Sequence, residues 1–118
     1  MLAQKNRFHG HASLKYVYRN GQVSRSRLFA VRAIENTRRK EPRCSVVVSK
    51  KVLKSAVGRN RIRRRVYHVL HAELGEFDHA QDIVVGVCSS EVAFMPSDEL
   101  KTQLINQLVE ARAIAPKM

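Results

Sequence analysis

Five arginines, Arg59, Arg61, Arg63, Arg64 and Arg65, fall within the short stretch from Ser55 to Arg65. A guanidinium is a planar fork of N–H donors that fits two phosphate oxygens at once, and its weak hydration lowers the cost of close contact. So dense a cluster makes phosphate binding the first chemistry to consider. Lys50, Lys51 and Lys54 lie just upstream and would widen the same patch. Asn60 stands among the cations, where its amide can bond a backbone group or a sugar hydroxyl. A helix beginning near Ser55 would add unpaired N–H groups and a partial positive charge at its N-terminus, a further phosphate site.

Such side chains need a frame. With Ile62 at the centre of a face, Val66, Val69, Leu70 and Leu74 recur at the spacing of an amphipathic helix, with Ser55 as N-cap. Arg61, Arg64, Arg65, His68 and His71 then project from the opposite side. The apolar stripe anchors the helix, and the arginines are what the anchor presents.

The flanking sequence supplies something to anchor to. A short helix is expected over "ASLKYVYRNG", where Leu14, Val17 and Tyr18 share a face, Gly21 follows as a stop and Phe8 could staple the start. Leu28 to Ile34 reads as a strand, and so does "CSVVVS", with Val46 and Val48 on one side of the pleat and Ser45 and Ser49 on the other. Pairing around Val23 is only weakly signalled. "DIVVGVC" is a continuous apolar run after Asp82, as in a central strand covered on both faces. "MPSDELKTQLINQLVEARAI" opens with Pro96, Ser97 and two acids, then turns Leu100, Leu104, Leu108 and Ala111 inward. The order is helix, strands, helix, strand, helix, and residues 1–118 read as a single domain. Cys44 and Cys88 are expected as buried free thiols in strands, or as a disulfide if those strands are neighbours.

Charge sharpens the functional reading. Lys and Arg number 22 against 10 Asp and Glu, giving +12 and a pI near 10.5. Residues 38–65 alone carry twelve basic side chains and one acid, whereas residues 66–118 are net acidic. A surface charged for solubility alone would mix its signs. The uneven field implies a polyanionic partner, most commonly nucleic acid. Nothing resembles a helix-turn-helix or a zinc finger. No apolar run reaches the roughly 20 residues of a membrane span. The first ten residues lack a secretory apolar core, so a cytoplasmic setting without membrane contact is expected.

The segment "SKKVLKSAVGRNRIRRRV", Ser49 to Val66, resembles the signature of the bacterial ribonuclease P protein component, its "RNR" motif being Arg59, Asn60 and Arg61. "NRF" at Asn6 to Phe8, "YRNG", "LFAVRA", "DIVVGV" and the last helix follow in the family's order. The resemblance implies an α+β fold: a two-layer α/β sandwich, ribosomal protein S5 domain 2-like, with a left-handed βαβ crossover where general rules favour the right-handed form. It also implies a partner, the catalytic ribonuclease P RNA. That RNA removes the 5′ leader of precursor tRNA with Mg²⁺ held by the RNA or its substrate, and no metal or catalytic residue belongs to the protein. On the same grounds Lys50, Lys51, Lys54, Arg59, Asn60, Arg61, Arg63 and Arg64 are expected to bind the RNA subunit. Leu14, Tyr18 and Arg32 are expected to line a leader-binding cleft between the first helix and one sheet face. The free protein is expected to be a monomer.

Three positions depart from the family pattern. Leu14 stands where a phenylalanine is common, Arg32 where some members have tyrosine, and Tyr67 where another arginine is common. Two other readings compete. Glu73, Glu76, Asp78 and Asp82 could hold Mg²⁺ in a protein-only nuclease, although a polar loop on the non-binding side explains them more simply. A ribosomal RNA-binding protein would share the charge but have no reason to prefer a leader. His9, His11, His68, His71 and His79 complete no zinc set at familiar spacing.

Overall fold

The segment that is apolar on both faces takes an interior place in the sheet. The computed structural model describes residues 11–35, 41–73, 75, 77, 80–111 and 113. Its elements are α1 (His11–Asn20), β1 (Gln22–Arg25), β2 (Phe29–Glu35), β3 (Arg43–Val48), α2 (Ala56–Ala72), β4 (Gln81–Val87), a 3₁₀ turn (Ser90–Ala93) and α3 (Ser97–Glu110). The strands form one sheet in the order β1-β2-β4-β3. The continuous apolar run thus becomes β4, antiparallel to β2 and parallel to β3. The parallel pair is joined through α2. The fold is α+β, one sheet with three helices, and among the described residues no helix is long and apolar enough to cross a membrane.

Alternation along β2 sorts the two faces. Phe29, Val31 and Ala33 are buried in the main core, where they meet Ile62, Val66 and Leu70 of α2 and Leu100, Leu104 and Leu108 of α3. Each of these side chains larger than alanine contributes about 1.5–3 kcal/mol when fully buried. The intervening residues face the other way. There Val84 of β4 and Val17 of α1 form a second, smaller cluster with Leu14 and Ile34. So α2 and α3 make the second layer of the sandwich, and α1 lies across part of the opposite face. The junction of α1 with β1 demands glycine: a Cβ on Gly21 would sit 2.7 Å from the Val17 carbonyl and 3.0 Å from that of Ala33.

Strand β1 buries one side chain, Ser24, which explains its faint sequence signal. Polar bonds to α3 hold it instead. Ser24 Oγ donates to Glu110 at 2.6 Å, and the buried Gln107 amide donates to the carbonyls of Ser24 and Phe29 at 3.1 and 3.0 Å. The Gln107 side-chain oxygen accepts from Ser26 Oγ at 2.7 Å, so both ends of that amide are satisfied.

The cysteines correct one expectation. Both thiols are free, and Cys44 is buried, but Cys88 lies just past β4 and is exposed. The apolar run that precedes it ends one residue too early to cover it. Leu74 and Phe8, expected to pack, lie outside the described residues.

Candidate nucleic-acid interface

The basic segment folds as a tight turn feeding α2. Ser55 caps the helix from extended backbone (φ −68°, ψ 123°), its Oγ accepting from Gly58 N at 3.1 Å. One of the helix's unpaired N–H groups is therefore already taken. Gly58 packs closely on Leu53, whose Cδ2 would have to move aside for a Cβ there, at 2.4 Å. Arg59 ties the turn down, its Nη1 donating to the carbonyls of Leu53 at 2.9 Å and Lys54 at 2.7 Å. Lys50, Lys51 and Lys54 are left exposed on that turn.

Along α2 the stripe is as expected, with Ile62, Val66, Val69 and Leu70 buried. The opposite side is not uniformly outward. Arg61 Nε donates to the Ala93 carbonyl at 2.7 Å, and Arg65 donates to the carbonyls of Val92, at 2.7 Å, and Met95. These two arginines fasten the 3₁₀ turn to the helix, and Arg65 is half-buried in doing so. Arg63 donates to Asn60 Oδ1 at 2.9 Å, so Asn60 orients a neighbouring cation. Arg64, His68 and His71 are exposed.

No acidic side chain among the described residues forms an ion pair with an arginine of α2; the pairs found are Arg27 with Glu91 and Arg43 with Asp82. Arg61 commits only its Nε, and its two terminal amino groups remain as a fork. Tyr67, which departs from the family pattern, is buried, and its hydroxyl accepts from Val46 N at 3.2 Å. Sequence reasoning missed the 3₁₀ turn as part of this surface. Its bonds to α2 span about thirty residues and leave no local pattern.

On the opposite face, Tyr18 and Arg32 come together. The Arg32 guanidinium lies 4.5 Å from the centroid of the Tyr18 ring, and the tyrosine is 44% exposed. Leu14 is half-buried beneath them, in the small cluster under α1. This pair and the basic turn thus occupy different sides of the sheet.

Among the described residues, no three or more acids, histidines or cysteines gather as a metal set. Asp82 is buried in β4 and accepts both Nε and Nη2 of Arg43 at 2.9 and 2.8 Å. Glu73 is buried at the C-cap of α2 rather than in a polar loop. Glu76, Asp78, His9 and His79 lie outside the described residues, as does the side chain of His11.

Comparison with known proteins places this geometry. The sequence model of the Ribonuclease P family matches residues 2–112. A ribonuclease P protein component from Pseudanabaena sp. is 31% identical over 115 residues, covering 97% of each chain. One from Bacillus mycoides is 30% identical over 105 residues, covering 89% of this chain and 90% of the relative. The structure of the Staphylococcus aureus RNase P protein superposes with a TM-score of 0.81 at 25% identity, over 92% of this chain and 97% of that one.

Proposed function

This chain belongs to the ribonuclease P protein family, and from that premise we propose that it binds the family's RNA subunit through α2 and helps that RNA remove the 5′ leader of precursor tRNA. The observation that carries the reading is the unneutralised cation set on an anchored helix: Arg61, Arg63 and Arg64 on α2, with Lys50, Lys51 and Lys54 on the turn before it. Phosphates take the terminal amino groups of Arg61, the guanidinium of Arg64 and the lysine ammonium groups. Arg59 and Asn60 act mainly by shaping this surface, one closing the turn and the other aiming Arg63.

The leader lies along the other face, where Tyr18 and Arg32 present a ring and a planar cation to an unpaired base. Leu14 supports α1 from below rather than stacking on the strand itself. A protein that touches catalyst and leader together raises the affinity of one for the other without chemistry of its own. Asp82 is held by Arg43, so its carboxylate is engaged within the sheet. Mg²⁺ is assigned to the RNA and its substrate, where it stabilises charge on the reacting phosphate.

The test is precursor-tRNA cleavage by a bacterial ribonuclease P RNA at low Mg²⁺, with and without this protein. Faster cleavage with the protein, and none by protein alone, is the expected result. Cleavage by protein alone would overturn the reading.

A further inference from the structure

Phe94 follows the 3₁₀ turn and is 77% exposed, the highest value among the exposed large apolar residues described. A ring so open adds little to the core, yet it is firmly placed. Val92 and Ala93 before it are fully buried, and its own N–H donates to the Glu91 carbonyl at 3.0 Å. The carbonyls of Val92, Ala93 and Met95, on both sides of it, are the ones that Arg61 and Arg65 grip. The Arg61 guanidinium also lies 5.5 Å from the ring centroid. An open groove of about 510 Å³ borders the ring, and Arg27, Glu91 and Glu99 line it too.

We propose that Phe94, backed by Arg61, is a stacking platform for an unpaired nucleobase of the RNA that α2 engages. This rests on the RNA-binding reading of α2 and adds a site to it. Single-strand sites combine a cationic surface with aromatic faces, because every base has a π-face and arginine strengthens the stack. Both components are here, and the two arginine clamps hold the ring in position before binding. Glu91 is paired with Arg27, which leaves the Glu99 carboxylate as the charge that disfavours phosphate in the groove. The groove therefore admits the uncharged base, while the backbone stays with Arg61 and Arg64.

The chain contains no tryptophan, so Phe94→Trp introduces a single reporter. Binding to a full-length bacterial ribonuclease P RNA is measured for the wild type, Phe94→Leu, Phe94→Trp and Arg64→Ala across a salt series. Phe94→Leu should bind about 5- to 150-fold more weakly, the range expected for loss of one stacked base, with an unchanged salt slope. Phe94→Trp should bind as the wild type does, and its fluorescence should be quenched at saturation. Thermal melting checks that both variants fold, and the tryptophan readout stands if the leucine variant does not.

Wild-type affinity in Phe94→Leu, or an unquenched tryptophan, with Arg64→Ala still weakened, overturns the platform and leaves the RNA reading of α2 intact. Unchanged binding in all three variants overturns both. A Phe94→Leu variant that loses self-association in sedimentation but keeps its RNA affinity assigns the ring to a protein contact and also overturns the platform.

Discussion

Burial pushes the Cys44 thiol up from 9.0 to about 12, and the charge of Asp82 adds to the effect. The folded state thus keeps a proton that the unfolded chain loses above about pH 9. The stabilisation is complete below pH 9 and is lost as pH rises towards 12. Urea titrations in that window should show a steeper fall for the wild type than for Cys44→Val. Alkylation followed by mass spectrometry should label Cys88 in the native protein and Cys44 only on unfolding; equal rates would take Cys44 out of the core. Tyr67 makes a second residue-scale prediction. Its hydroxyl satisfies a backbone N–H on β3, an edge strand. Tyr67→Phe should therefore cost about 1–3 kcal/mol in a denaturant melt. The burial of Cys44 was legible in its apolar run; the exposure of Cys88 and the bond of Tyr67 were not. Cys88 looks as apolar in context as Cys44 does, and the partner of Tyr67 lies twenty-one residues away.

At the scale of elements, legibility followed periodicity. Helices α2 and α3 and strands β2 and β4 bury apolar residues at regular spacing, and their positions could be read directly. β1 and the 3₁₀ turn could not, because polar bonds to distant elements hold them: Gln107 for one, Arg61 and Arg65 for the other. The same difference divides the arginines of α2. By their place in the basic cluster, Arg59 and Arg61 read from the sequence as part of an RNA-binding surface. Their bonds to backbone carbonyls give them a structural part as well. Arg59→Ala and Arg61→Ala should each lower stability by about 1 kcal/mol, read as a shift in urea midpoint. Arg64→Ala should leave the midpoint within about 0.5 kcal/mol while weakening RNA binding. An Arg59→Ala protein as stable as the wild type would show that the turn before α2 closes without the clamp.

For the whole molecule, the field of +12 sets how binding responds to salt. The logarithm of RNA affinity should fall linearly with the logarithm of salt concentration, by about 0.7 per phosphate neutralised on a single strand and about 0.9 on a B-form duplex. Combining Arg64→Ala with Lys54→Ala should flatten that slope by one to two contacts, as filter binding across a salt series would show; an unchanged slope would place the phosphates elsewhere. The pattern of β2 has a further consequence. Phe29, Val31 and Ala33 serve the side packed against α2 and α3, whereas Arg32 and Ile34 serve the side that carries α1. Neighbours in the gene thus answer to different molecular clients. If the proposed division of faces holds, a lineage can retune its grip on the leader at one codon while the next, committed to the core beneath α2, stays fixed.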